Sequence, residues 1–80
     1  MLTTIRRLIR QYNARRHAAH CARGYQWALQ QPMPALDAYL DMALAFGTWD
    51  AFDSGANLCY AERMRIQRID DLLDHLETLE

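Results

Sequence analysis

The chain has 80 residues, a net charge of −1 and 51% hydrophobic residues, a composition that excludes a disordered protein and indicates one folded domain over residues 1–80. Two cysteines are too few for a disulfide scaffold, and no apolar run approaches the roughly 20 residues that span a bilayer. We therefore expect a cytoplasmic protein with free thiols. A lone core in so short a chain stabilises by only about 3–5 kcal/mol, which favours self-association.

The first predicted helix runs from about Thr4 to Gln30. Residues 1–30 hold six arginines and no acid. Pro32 and Pro34 end this helix, because proline lacks the backbone N–H and disfavours the helical conformation in the preceding residue. The apolar positions recur at three- and four-residue steps, as in an amphipathic helix: Leu2, Ile5, Leu8, Ile9 and Tyr12.

A short second helix is predicted from Ala35 to Phe46, closed by Gly47. Thr48 then caps a third helix from Trp49 to about Leu79, with Asp50 in its first turn. The end of this helix has heptad spacing, which is typical either of the core-facing side of an amphipathic helix or of a seam between two chains. The residues of that candidate dimer seam are Ile69, Leu72, Leu76 and Leu79.

Gly24 and Gly55 each lie inside a predicted helix, where glycine costs about 1 kcal/mol relative to alanine. A close contact between helices one and three explains both, and we expect the two glycines to face one another. We further expect these helices to run antiparallel, with position i beside position 79 − i. This register brings Arg6, Arg7 and Arg10 beside the acids of helix three: Asp70, Asp71, Asp74 and Glu77. The predicted fold is all-α, an antiparallel pair of long helices joined by a short third helix, and dimeric.

Residues that carry chemistry are few, and we predict no catalytic residue, no metal and no cofactor. A zinc site from His17, Cys21, Cys59 and Glu62 is the alternative, since the 79 − i register brings these side chains near one another. Neither CxxC nor HExxH is present, so buried cysteines that act as small hydrophobes are the preferred interpretation. A cysteine–histidine nucleophile lacks both a third, orienting group and a cleft, which argues against an enzyme.

The arginine-rich first helix is compatible with phosphate binding, with an anionic membrane surface or with a mitochondrial presequence. The acidic second half disfavours nucleic acid, and removal of a presequence would leave fewer than 60 residues to fold. Aromatic residues near the predicted bend are able to build either a core or a binding hot spot. The candidate partner-binding residues are Arg6, Arg7, Arg10, Arg15, Arg16, Tyr25, Trp27 and Trp49.

Three segments, TTIRRLIR, RGYQWA and AFDSGA, together resemble small helical early proteins of temperate Pseudomonas phages, including quorum-sensing anti-activators. The resemblance covers about a third of the chain and includes no catalytic motif. It implies a compact, dimeric helical hairpin that takes part in host takeover by disabling a host LuxR-type activator or a pilus ATPase. RGYQWA and AFDSGA are also similar to ribosome modulation factor, from which the acidic second half departs.

The sequence therefore predicts a non-catalytic homodimer that inhibits or adapts a host protein by occupying its surface. The alternative is a nucleic-acid or ribosome-associated regulator that uses the arginine-rich helix. A membrane partner is not expected.

Overall fold

A computed structural model describes residues 2–79 as three α-helices. The helices are α1 (Leu2–Leu29), α2 (Met33–Ala45) and α3 (Ala51–Thr78), and no strand is present in this range. The all-α class is confirmed, as is the packing of the two long helices against each other with a short helix between them in the chain.

The start and end of α2 follow from local chemistry. Pro32 is the N-cap of α2 and Pro34 lies in its first turn. Gly47 closes α2 at a φ of 67°, in the left-handed region that favours glycine, as predicted. The Thr48 and Gly47 amides donate to the carbonyl oxygens of Ala43 and Leu44, which gives a Schellman motif.

The N-cap of α3 is Asp50 and not Thr48, so the predicted start of this helix is two residues too early. Asp50 and Asp53 form a capping box in which each carboxylate accepts from the other residue's backbone amide at 3.1 Å. An aspartate with an acceptor three residues later satisfies two orphan amide groups at once, which a lone threonine hydroxyl cannot do.

Gly24 and Gly55 mark the closest approach of α1 and α3, as predicted. A Cβ atom added to Gly24 would overlap the Phe52 carbonyl group, and one added to Gly55 would overlap that of Cys21. Each glycine therefore lies directly against the backbone of the other helix. Small side chains continue the contact, with Ala28, Ala56 and Cys59 fully buried.

The two long helices run in the same direction, which differs from the antiparallel register expected above. The Arg63 guanidinium donates to the carbonyl oxygens of Ala28 (2.9 Å) and Gln31 (2.7 Å), so α1 ends beside the middle of α3. In the 79 − i register, Arg63 would instead lie near position 16. The longest dimension of the molecule is 69 Å, whereas antiparallel helices of 28 residues that overlap fully would span about 42 Å.

The physical reason for the difference is the length of α2. Its 13 residues cover about 20 Å, enough to carry the chain back past the end of α1 before α3 begins. The chain therefore runs up, down and up again, and the first and last helices become parallel. The glycine contact is compatible with either direction, so it alone did not exclude the antiparallel pair.

Asp53 links α2 to α3. Its side chain is 3% exposed and accepts a 2.6 Å hydrogen bond from the Tyr39 hydroxyl. The aromatic ring of Trp27 packs against those of Tyr39 and Phe52, at centroid distances of 4.8 and 5.4 Å. These contacts hold the three helices together beside a small buried core of Ala28, Leu36, Leu40, Ala56 and Cys59.

The Tyr39–Asp53 bond predicts a loss of stability in alkali. The hydrogen bond to Asp53, together with burial, raises the pKa of Tyr39 to about 12, above its ordinary value of about 10. Stabilisation from a raised pKa is complete below the unfolded-state pKa and is lost as pH rises through the folded-state value. We therefore expect the urea midpoint to fall between about pH 10 and 12.

A substitution separates this bond from general alkaline unfolding. Tyr39→Phe should destabilise the protein by about 1 kcal/mol at neutral pH, because Asp53 stays buried without one of its donors. It should also make the fall of the urea midpoint between about pH 10 and 12 shallower than in the wild type. Equal pH profiles for the variant and the wild type would show that the bond contributes no stability.

Candidate protein-binding surface

Each long helix extends beyond the packed part of the molecule. Residues 2–19 of α1 are all exposed, and so are residues 65–79, which form the end of α3 and its C-cap. We call these segments the α1 arm and the α3 arm, and residues 20–64 the body. Because α1 and α3 are parallel and cross near the end of one and the start of the other, the arms project from opposite ends of the body.

Both arms carry rows of large apolar side chains that face solvent. Each of these side chains is at least half exposed, and they recur at three- and four-residue steps along one side of the helix. The α1 row contains Leu2, Ile5, Leu8, Ile9 and Tyr12; the α3 row contains Ile66, Ile69, Leu72, Leu73, Leu76 and Leu79.

The molecule as a whole exposes more surface than a compact monomer of its size. Its accessible surface is 6722 Å², whereas a compact chain of 9.4 kDa exposes about 5000 Å². Its radius of gyration is 18.1 Å, against about 12 Å for a compact domain of this length. The excess of about 1700 Å² is large compared with the roughly 800 Å² that each partner buries in a standard interface.

The arms carry opposite charge. The α1 arm has five arginines and no acid, whereas the α3 arm has two arginines and four acids, so their net charges are +5 and −2 with histidine neutral. The predicted pairing of Arg6, Arg7 and Arg10 with the acids of helix three does not occur within the chain, because the parallel helices place these groups at opposite ends of the molecule. The charge separation of the sequence is therefore a separation in space.

The candidate partner-binding residues fall into two groups. The five arginines lie exposed on the α1 arm. Tyr25, Trp27 and Trp49 belong to the body, where they are half-buried and pack against the core. The Trp49 indole N–H also donates to Ser54 Oγ at 3.0 Å. Their part in partner binding stays a prediction, with the arginines more open to a partner than the aromatic residues.

The candidate dimer seam lies on the α3 arm. Ile69, Leu72, Leu76 and Leu79 are between 50% and 70% exposed, so they do not belong to the core formed by the described residues. Exposure of every member of the row favours the intermolecular interpretation over that of a core-facing helix side. The α1 row, which was predicted as the apolar stripe of an amphipathic helix, is equally exposed.

The side chains considered for zinc do not form a tetrahedral set. Among the described residues, no group of three or more His, Cys, Asp and Glu side chains is placed to hold a metal ion. His17 Nε2 lies 3.6 Å from Cys21 Sγ, while Glu62 accepts a 2.5 Å hydrogen bond from the Tyr25 hydroxyl. Burial raises the pKa of the Cys59 thiol, as expected of a small core residue. Both cysteines are free thiols.

Sequence reasoning missed Arg63, Tyr25 and Glu62 as structural residues. Arg63 caps the end of α1 through the carbonyl oxygen of Ala28, which lies 35 positions earlier in the chain. Nearby, the Tyr25–Glu62 hydrogen bond joins α1 to α3. Their spacing follows no local pattern, so only knowledge of the helix direction would have identified them.

No helix within residues 2–79 is long and apolar enough to cross a membrane. Comparisons with protein-family models, with curated proteins and with solved structures find no match to this chain.

Proposed function

We propose that this chain is a non-catalytic, dimeric regulator that binds a protein partner, and that its arms carry the binding surfaces. The observation that supports the proposal is the pair of apolar rows that nothing else within residues 2–79 covers. Contiguous apolar surface of this extent is rare on monomeric proteins and is typical of protein-binding sites.

The arms favour a helical protein partner. An isolated helix of fewer than about 12–15 residues is marginal in water, and longer ones gain most of their stability from packing an apolar side. An arm of about 18 residues with one apolar row therefore gains most from a second amphipathic helix laid along it. A regulator of this kind inhibits or adapts its target by occupying a surface, and needs no catalytic group.

The resemblance to phage early proteins indicates which targets to test first. On this proposal the partner is a host protein, either a transcriptional activator or a motor ATPase, and the regulator acts in the host cytoplasm. The exposed arginines of the α1 arm add recognition of acidic groups on such a target, because guanidinium pairs with carboxylate in a bidentate manner.

Nucleic-acid or ribosome binding is the second candidate. It is favoured by one observation, the acid-free α1 arm with five arginines that projects from the body. It leaves both apolar rows without a role, and the acids of the α3 arm repel phosphate. Aromatic side chains for base stacking are also scarce on the α1 arm, where Tyr12 is the single aromatic residue among residues 2–19.

Salt-dependent binding separates the two functions. We expect no binding to labelled mixed-sequence DNA or RNA at about 50 mM salt, because the arginine side of the arm lacks stacking groups and the chain as a whole is slightly acidic. Binding at low salt, with a logarithm of the binding constant that falls steeply and linearly with the logarithm of salt concentration, would favour the nucleic-acid function instead.

Capture of partners from a bacterial lysate tests the protein-binding function directly. The wild-type chain and Ala38→Asp, which adds a charge at an exposed site of the body, should retain the same host protein. The double variant Ile5→Asp/Ile9→Asp should lose it, because both charges fall on the apolar row of the α1 arm. Retention of identical proteins by all three baits, or of none by the wild type, would contradict the proposal.

A further inference from the structure

We infer that the α1 arm of one chain packs antiparallel on the α3 arm of a second copy, and that the symmetric contact forms at the other end of the dimer. The inference rests on the dimeric state in the proposed function and specifies which surfaces meet, in which direction and in which register.

The apolar rows of the two arms match in one register. If position i lies level with position 81 − i of the second copy, all five apolar residues of the α1 row meet apolar residues. The level pairs are Leu2 with Leu79, Ile5 with Leu76, Leu8 with Leu73, Ile9 with Leu72 and Tyr12 with Ile69. Both rows are exposed in the single chain, so this pairing covers most of the apolar surface that the fold leaves open.

The charges agree with the same register. Arg6 and Arg10 are one helical turn apart on one flank of the α1 row. Asp70, Asp74 and Glu77 follow the corresponding flank of the α3 row, and antiparallel packing sets these flanks side by side. Arg10 is level with position 71 and Arg6 with position 75, so each arginine has an acid within one or two positions. Contacts between two α3 arms would instead bring acids together.

The geometry of the single chain allows both contacts at once. The tips of the arms, Leu2 and Leu79, lie 22 and 24 residues from the glycine crossing, which is about 33 and 36 Å in opposite directions. A second copy turned end for end about an axis near the crossing therefore brings its α3 tip beside the first copy's α1 tip, within about 3 Å along the helix. This two-fold arrangement is closed and leaves no arm unpaired.

The paired arms still have room for a partner. Leu8 with Ile9, and Leu72 with Leu73, widen each row, so a two-stranded contact covers only one side of these side chains and leaves the other side exposed. Each arm pair then presents an apolar edge on which a helix of the target can lie. The dimer and the binding function therefore use adjacent parts of the same arms.

Charge reversal tests the pairing. Arg6→Asp/Arg10→Asp and Asp70→Arg/Glu77→Arg should each raise the dimer dissociation constant at least about 100-fold, because each change creates like-charge contacts at both ends of the dimer. An equimolar mixture of the two variants should dimerise again, since both contacts of the mixed dimer join opposite charges. Sedimentation equilibrium of each variant and of the mixture gives these constants. Failure of the mixture to recover would overturn the pairing.

Crosslinking tests the direction. In a chain with Leu2→Cys and Leu79→Cys, the two new thiols lie at opposite ends of a molecule 69 Å long, so they cannot meet within one chain. Oxidation should nevertheless give a covalent dimer in high yield. Leu2→Cys alone and Leu79→Cys alone keep the native thiols and should stay uncrosslinked. Crosslinking of either single variant, or none of the double variant, would contradict the antiparallel arrangement.

The outcomes also separate this inference from the proposed function. If the chain dimerises and crosslinks as expected but retains no host protein, the pairing of the arms stands and the proposed regulation of a host protein is refuted. If the chain is monomeric but still retains a host protein through its arms, the pairing is refuted and the proposed function stands.

Discussion

Gly24→Ala and Gly55→Ala are each expected to destabilise the protein by about 3 kcal/mol or more, at the upper end of the usual cost of overpacking. A single added methyl group at either site overlaps a carbonyl group of the opposite helix, which is backbone and cannot rotate away. The helices must therefore separate along their contact, which loosens Ala28, Ala56 and Cys59 as well. The gain of about 1 kcal/mol in helix propensity offsets only part of this cost.

Urea unfolding measures the effect, with Asn57→Ala as the matched control. Asn57 is exposed on α3 only two positions from Gly55, so alanine there should stabilise by a few tenths of a kcal/mol through propensity. A midpoint that rises at unchanged slope in either glycine variant would mean that the crossing does not have the close contact described above.

On the proposed pairing, Ile9→Asp and Leu72→Asp are each expected to convert the dimer to monomer at micromolar concentration. Both residues lie inside their apolar rows, at 53% and 58% exposure in the single chain, and a two-fold dimer contains each substitution twice. A buried carboxylate without a partner costs several kcal/mol, so we expect the dissociation constant to rise by at least about 1000-fold. Analytical ultracentrifugation reports the change.

The body should stay folded in these variants. No described residue of the core lies on either arm, so the near-ultraviolet circular dichroism of Trp27 and Trp49 should persist in the monomeric variants. Ala14→Asp, which adds the same charge at an exposed position on the side of the α1 arm opposite the apolar row, serves as the control and should remain dimeric. Variants that stay dimeric would show that the apolar rows are not the seam.

Local chemistry was sufficient to predict the three helices, the turn at Gly47 and the contact between Gly24 and Gly55. The helices and the turn depend on residues that are neighbours in the sequence. The glycine contact depends on the free-energy cost of glycine inside a helix, which close packing explains. The direction of α3 relative to α1 was not accessible in this way, because it depends on how far α2 carries the chain back and on contacts such as that of Arg63 with Ala28. Because α1 and α3 were expected to run antiparallel, the arginines of α1 were predicted to pair with the acids of α3 in the same chain.

The candidate surface was predicted in part for the same reason. The heptad spacing from Ile69 to Leu79 was compatible with a seam between two chains, and those residues are exposed in the single chain. The seam itself stays a prediction. The matching row on the α1 arm was recognised only as the apolar stripe of an amphipathic helix, because such a stripe looks the same whether its partner is in the same molecule or in another. Periodicity identifies the side of a helix that packs, but not the molecule against which it packs.

Amide hydrogen exchange of the two arms tests most directly whether a second helix covers them. At tens of micromolar, residues 2–19 and 65–79 should exchange slowly, and on dilution both arms should lose protection together while the body around Ala28 and Cys59 keeps it. Arms that exchange as fast as unfolded chain at every concentration, beside a protected body, would contradict the account, because helices packed on a second copy cannot open that freely.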